Sequence, residues 1–160
     1  YLRVIRSKTA KLFEASARLG AVLAQSDDRI EQACADYGQA LGTAFQVIDD
    51  VLDYDGDVAE MGKNLGDDLR EGKATLPLIA AMQRGNASER SIIRHAIESG
   101  STADLDQIIA IVRGTGALEV TRTAARAEAQ RAMEAVCLLP ENPYSAGLLQ
   151  LAAQLLERRS

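Results

Sequence analysis

Apolar residues recur along this chain at helical spacing and almost nowhere at the alternating spacing of a strand. Leu2, Ile5, Thr9, Leu12 and Phe13 carry the period from the first residue, and the first helix is predicted from about Tyr1 to Ala24 before the turn-rich Gln25-Ser26-Asp27-Asp28 stops it. A second is predicted from about Arg29 to Tyr54, ended by Asp55-Gly56-Asp57, and a loop carrying Gly62, Gly66 and Gly72 follows. Thr75 then opens a helix with Pro77 in its first turn, where a missing N–H costs nothing, and that helix ends near Arg84-Gly85-Asn86. Two shorter helices are predicted over about Ser88 to Ser99 and Thr102 to Arg113, broken at Gly100 and at Gly114-Thr115-Gly116. A long alanine-rich one covers about Ala117 to Cys137, and beyond Pro140 and Pro143 a last one covers about Tyr144 to Arg158. The expectation is an all-α helical bundle forming a single domain over residues 1–160, a length that supports one core and is short for two.

Charge and composition narrow the partners. Lys and Arg number 18 against 23 Asp and Glu, a net charge of −5, which argues against non-specific binding to nucleic acid or anionic lipid. Any phosphate must therefore be met by local charge. Aromatics are 4% of residues with no Trp, too few for base-stacking platforms. No stretch approaches the roughly 20 apolar residues of a membrane span and no signal-peptide pattern opens the chain, so a cytoplasmic protein is expected. Cys34 and Cys137 form no C-x-x-C pair and stand far from the single His95, which predicts reduced, partly buried thiols without zinc. The helical period is already running at Tyr1, with neither a Met nor an N-cap ahead of it, and so the sequence reads as a fragment.

The second predicted helix holds the candidate chemistry. Gln46, Asp49, Asp50 and Asp53 fall at i, i+3, i+4 and i+7 on one face, while Tyr37, Leu41, Ala44, Ile48, Val51 and Leu52 cover the other. Crowded carboxylates repel at a cost of a few tenths of a kcal/mol per pair, and a divalent cation would turn that repulsion into binding. Oxygen-only ligands with room for water suit Mg²⁺ bridging to substrate phosphates. The plainer reading, an acidic surface stripe, stands beside it. An EF-hand begun at Asp53 fails, because Gly56 occupies the fourth position and Asn64 the place of the bidentate Glu. A P-loop fails too, since Asp57 and Asp67 stand where its first Gly would be. Lys8, Lys63 and Lys73 flank the acidic helix and could neutralise phosphate oxygens, though a lone lysine is usually a solvated surface residue.

Four blocks then bear a specific likeness: Lys8-Thr9-Ala10; Gly42 to Asp53, reading GTAFQVIDDVLD; Gly62 to Leu69, reading GKNLGDDL; and Glu71 to Leu78, reading EGKATLPL. In this order and spacing the chain resembles the C-terminal half of the trans-isoprenyl diphosphate synthases, the polyprenyl synthetases, and most resembles the long-chain bacterial members. The resemblance implies the isoprenoid-synthase type of helical fold and a head-to-tail condensation of isopentenyl diphosphate onto an allylic prenyl diphosphate, with the long product serving quinone side chains. It implies that Asp49, Asp50 and Asp53 form the second aspartate-rich motif and hold Mg²⁺ on the allylic diphosphate, Asp49 foremost. Lys8, Lys63 and Lys73 would contact that diphosphate, Thr9 and Gln46 would face the allylic cation, and Phe45 would lie beside isopentenyl diphosphate. Asp67 and Asp68 would position the loop between Lys63 and Lys73. The first aspartate-rich motif would belong to an N-terminal half that precedes Tyr1, and a homodimer is implied. A class I terpene cyclase and a non-catalytic regulatory subunit are the competing readings. The lysine elements argue against the first and the intact clamp against the second.

Overall fold

The computed structural model describes residues 1–55 and 66–158. Its regular elements are helical, and no strand occurs among the described residues. Helix α1, Leu2–Ile5, continues through a π-helical turn, Arg6–Ala10, into α2, Lys11–Leu23. Helix α3 spans Asp28–Asp55. A short α4, Asp67–Arg70, is followed by α5, Leu76–Arg84, α6, Ala87–Ser99, α7, Leu105–Gly114, α8, Ala117–Val136, and α9, Pro143–Glu157. The predicted helices are all present, most ends agreeing within a residue or two. The differences are the π turn inside the first helix, the later start of α7, and α4 within the predicted loop. Gly56, Asp57 and the stretch from Gly62 to Leu65 lie outside the described residues.

The chain divides into two compact units. One holds Tyr1 and 49–123 of the described residues, and its core gathers Tyr54, Leu69, Leu78, Ile93, Ile108 and Val112, each fully buried. Helix α6 is opened by a reciprocal cap: Asn86 accepts from the Glu89 amide at 3.0 Å, and Glu89 accepts from the Asn86 amide at 2.8 Å. Asp55, at the end of α3, is paired with Arg122, and Arg113 donates to the Tyr54 carbonyl at 3.3 Å, placing cations at the negative end of the helix.

The other unit holds 2–48 and 124–158. Helices α2 and α3 approach closely because Gly38 and Gly42 lack side chains: a Cβ on Gly38 would stand 2.4 Å from the Phe13 carbonyl oxygen, and one on Gly42 2.9 Å from the Ala10 Cα. Tyr37 donates to the Leu148 carbonyl at 3.1 Å, tying α3 to α9, and burial pushes its pKa up to about 12. Asn142 caps α9, accepting from the amides of Tyr144 and Ser145. Along α2, Leu12, Leu19 and Leu23 are 70%, 57% and 82% exposed, an apolar stripe that nothing within this unit covers. Cys34 is half-buried, which raises its pKa, whereas Cys137 is exposed rather than partly buried; both thiols are free.

Candidate active site

The face expected to be apolar on α3 is so: Tyr37, Ala44, Ile48, Val51 and Leu52 are buried and Leu41 is half-buried. The polar stripe is less uniform than the spacing suggests. Gln46, Asp49 and Asp53 are half-buried, but Asp50 is 1% exposed and accepts a hydrogen bond from the Tyr1 hydroxyl. Burial and the Asp50 charge together push the Tyr1 pKa far up, so the phenol keeps its proton and remains a donor.

Asp53 is held differently. Gly66 takes a left-handed conformation, φ +77°, and donates to the Asp53 carbonyl at 3.1 Å, turning the chain so that the next two amides face the carboxylate. Asp67 N donates to Oδ1 at 3.2 Å and Asp68 N to Oδ2 at 3.3 Å, so that Asp53 caps α4. Burial, followed by the Asp68 charge, nonetheless raises the Asp53 pKa to about 6 against the pull of those two amides. At Asp53, burial and the Asp68 and Asp67 charges outweigh the two amides. No group of three His, Cys, Asp or Glu side chains converges into a metal-holding cluster among the described residues. The donor set on this helix is all oxygen, which fits a hard divalent cation.

Lys73 follows α4. Its Nζ donates to Asp68 Oδ1 at 2.9 Å and pairs with Glu71 at 2.8 Å, and these contacts, Glu71 first, raise its pKa. Asp67 pairs with Arg70. Behind this segment, Tyr54 Oη and Thr75 Oγ1 are buried without a well-formed hydrogen bond. Burial and the Asp53 charge push the Tyr54 pKa up, opposed by the neighbouring Thr75 hydroxyl.

In the other unit the π turn supplies Lys8 and Thr9. Such a turn widens the helix by one residue and is frequent at functional sites. Lys8 is exposed, beside Arg3, Val4 and Ser7 round a shallow depression. The Thr9 hydroxyl donates to Gln46 Oε1 at 3.1 Å, so the two residues expected to face one cation do meet. Phe45 packs on Phe13 with ring centroids 5.8 Å apart, and the Arg158 guanidinium lies 5.0 Å from the Phe45 centroid. Lys63 lies outside the described residues. The roles of Tyr1 and Glu71 escape sequence reading for different reasons. Tyr1 meets Asp50 across 49 positions with no local signal, whereas the Glu71-Gly72-Lys73 run itself could have suggested the pairing.

The polyprenyl synthetase family profile matches residues 1–112. The chain belongs to the polyprenyl synthetase family. Octaprenyl diphosphate synthase of Haemophilus influenzae is 46% identical over 159 residues, covering 99% of this chain and 48% of that protein. The all-trans-nonaprenyl-diphosphate synthase of Rhodobacter capsulatus is 45% identical, again over 99% of this polyprenyl synthetase chain and 48% of its own length. A crystal structure of a polyprenyl synthase from Caulobacter crescentus, complexed with calcium and isoprenyl diphosphate, superposes with a TM-score of 0.92 at 41% identity, over 100% of this chain and 49% of that one. The chain thus spans about half the length of the relatives it matches.

Proposed function

We propose that this chain supplies one half of a polyprenyl diphosphate synthase, which condenses isopentenyl diphosphate head-to-tail onto an allylic prenyl diphosphate. A long product for quinone side chains and a cytoplasmic place of work belong to the same reading. What carries it is the unbroken likeness to octaprenyl and nonaprenyl synthases over 99% of the chain. No helix among the described residues is long and apolar enough to cross a membrane.

Asp49, Asp50 and Asp53 would hold Mg²⁺, with Asp49 as the leading ligand and the buried Asp50 oriented by the Tyr1 hydroxyl. The calcium and isoprenyl diphosphate in the Caulobacter relative support that role. Bound Mg²⁺ supplies positive charge to the departing diphosphate. Lys8, Lys63 and Lys73 neutralise phosphate oxygens as point charges, and Lys73 must first exchange Asp68 and Glu71 for them. Because the Thr9 hydrogen is directed at Gln46, the remaining lone pairs of the Thr9 oxygen are left to face the allylic cation. Phe45 flanks isopentenyl diphosphate. The uncovered leucines of α2 fit a surface that meets an N-terminal half bearing the first aspartate-rich motif, and the working enzyme is a homodimer.

The test is Asp49→Asn in the full-length protein, assayed by incorporation of radiolabelled isopentenyl diphosphate. Turnover is expected to drop by about 10² or more with the circular dichroism spectrum unchanged. Unaltered turnover at saturating Mg²⁺ would remove Asp49 from the site.

A further inference from the structure

The π turn Arg6–Ala10 interrupts the first helix with a rarer, wider ring. Support reaches it at three points. Ala10, at its end, is fully buried where Gly42 lets α3 come close, and Thr9 donates to Gln46. At its start, Arg6 Nη2 donates to Glu128 Oε1 of α8 at 2.7 Å. Glu128 is 8% exposed in a stretch where Ala125, Ala129 and Ala132 are each fully buried, an expensive setting for a carboxylate unless both oxygens are paired. They are: Oε2 accepts from Arg131 Nη1 at 2.6 Å. Lys8 lies between the anchored positions and is exposed.

We propose that Glu128 is a positioning residue for the diphosphate-binding turn, its carboxylate fixing Arg6 and so holding the π turn in the form that presents Lys8 and Thr9. Neither Glu128 nor Arg6 lies in any of the four sequence blocks of the family. The proposal rests on the reading of Lys8 as a diphosphate contact, and its physical content is preorganisation. A lysine on an anchored turn meets the phosphate without first ordering the backbone, whereas one on a loosened turn loses affinity to that ordering.

The experiment is calorimetric titration of the full-length protein with inorganic pyrophosphate and Mg²⁺, together with amide hydrogen exchange. Lys8→Ala is expected to weaken binding, which establishes the underlying contact. Glu128→Gln, nearly isosteric, is expected to weaken it about tenfold, as loss of a supporting partner behind a ligating group does. Arg6→Met should match it, and the double variant should be no worse than either single change, because both cut one link. Amide exchange should quicken at Ser7 to Ala10 in Glu128→Gln. If Glu128→Gln does not fold, Arg6→Met carries the same comparison. Lys8→Ala binding like wild type would overturn the Lys8 contact and the proposal with it. Weakening by Lys8→Ala while Glu128→Gln and Arg6→Met lower only the unfolding temperature would overturn the positioning role alone, and additive losses in the double variant would do the same.

Discussion

Asp53 and Lys73 show how one small segment sets two charges against their ordinary behaviour. The Asp53 pKa, raised to about 6 chiefly by burial, lies above its unfolded value, so the folded state binds the proton more tightly. Stability from this group is therefore fully present at low pH and lost as pH rises from about 4 through 6. In metal-free protein, Asp53→Asn should consequently gain on wild type as pH goes from 5 to 7, read as a convergence or crossing of the two melting temperatures; a constant gap would mean that Asp53 titrates normally. Lys73 makes a different prediction. Glu71 is the first of the two carboxylates holding its ammonium, and any incoming phosphate competes with them. Glu71→Gln should tighten pyrophosphate binding by about two- to fivefold at low salt and less at high salt, since the competition is between exposed charges. Weaker binding would show that Glu71 orients Lys73 instead of restraining it.

At the scale of the element, α3 combines packing with chemistry. Its glycines at 38 and 42 let α2 lie against it, and that proximity allows Thr9 to reach Gln46. Gly42→Val should destabilise the protein by about 1–3 kcal/mol, as added methyl groups do in a packed interface, and a urea midpoint would report it. Pyrophosphate binding should fall in the same variant, because the π turn is displaced along with Ala10. The helical pattern was legible in the sequence wherever apolar period and breakers agreed, as at Arg84-Gly85-Asn86. The π turn was not: no residue type marks its extra position, yet it shifts the buried face, so that Ala10 is buried and Leu12, in period with Ile5 in the sequence, is 70% exposed. Short α4 was hidden for another reason: its four residues owe their fold to Asp53 and Gly66, which lie outside it.

For the whole molecule, the two units share elements, since α3 supplies residues to both and α8 does as well. A unit that unfolds must therefore break a helix belonging also to the other. Chemical denaturation should give one transition, coincident by far-ultraviolet circular dichroism and by tyrosine absorbance, and separated transitions would mean that the units fold independently. The motif residues named from the sequence fall on recognisable elements because local spacing encodes them. What spacing left dark is long-range: Tyr1 on Asp50, Arg6 on Glu128 and Arg122 on Asp55 join residues 49, 122 and 67 positions apart.

The capping of α4 by Asp53 has a consequence for measurement. A carboxylate has lone pairs enough to accept two amides and still face a cation, but a cation draws electron density from the same oxygens and weakens what they accept. Were the proposed Mg²⁺ bound at Asp53, its occupancy and the closure of α4 would compete for the same oxygens. The amide protons of Asp67 and Asp68 would then gauge loading of the proposed metal, readable by nuclear magnetic resonance on protein that is turning over no substrate at all.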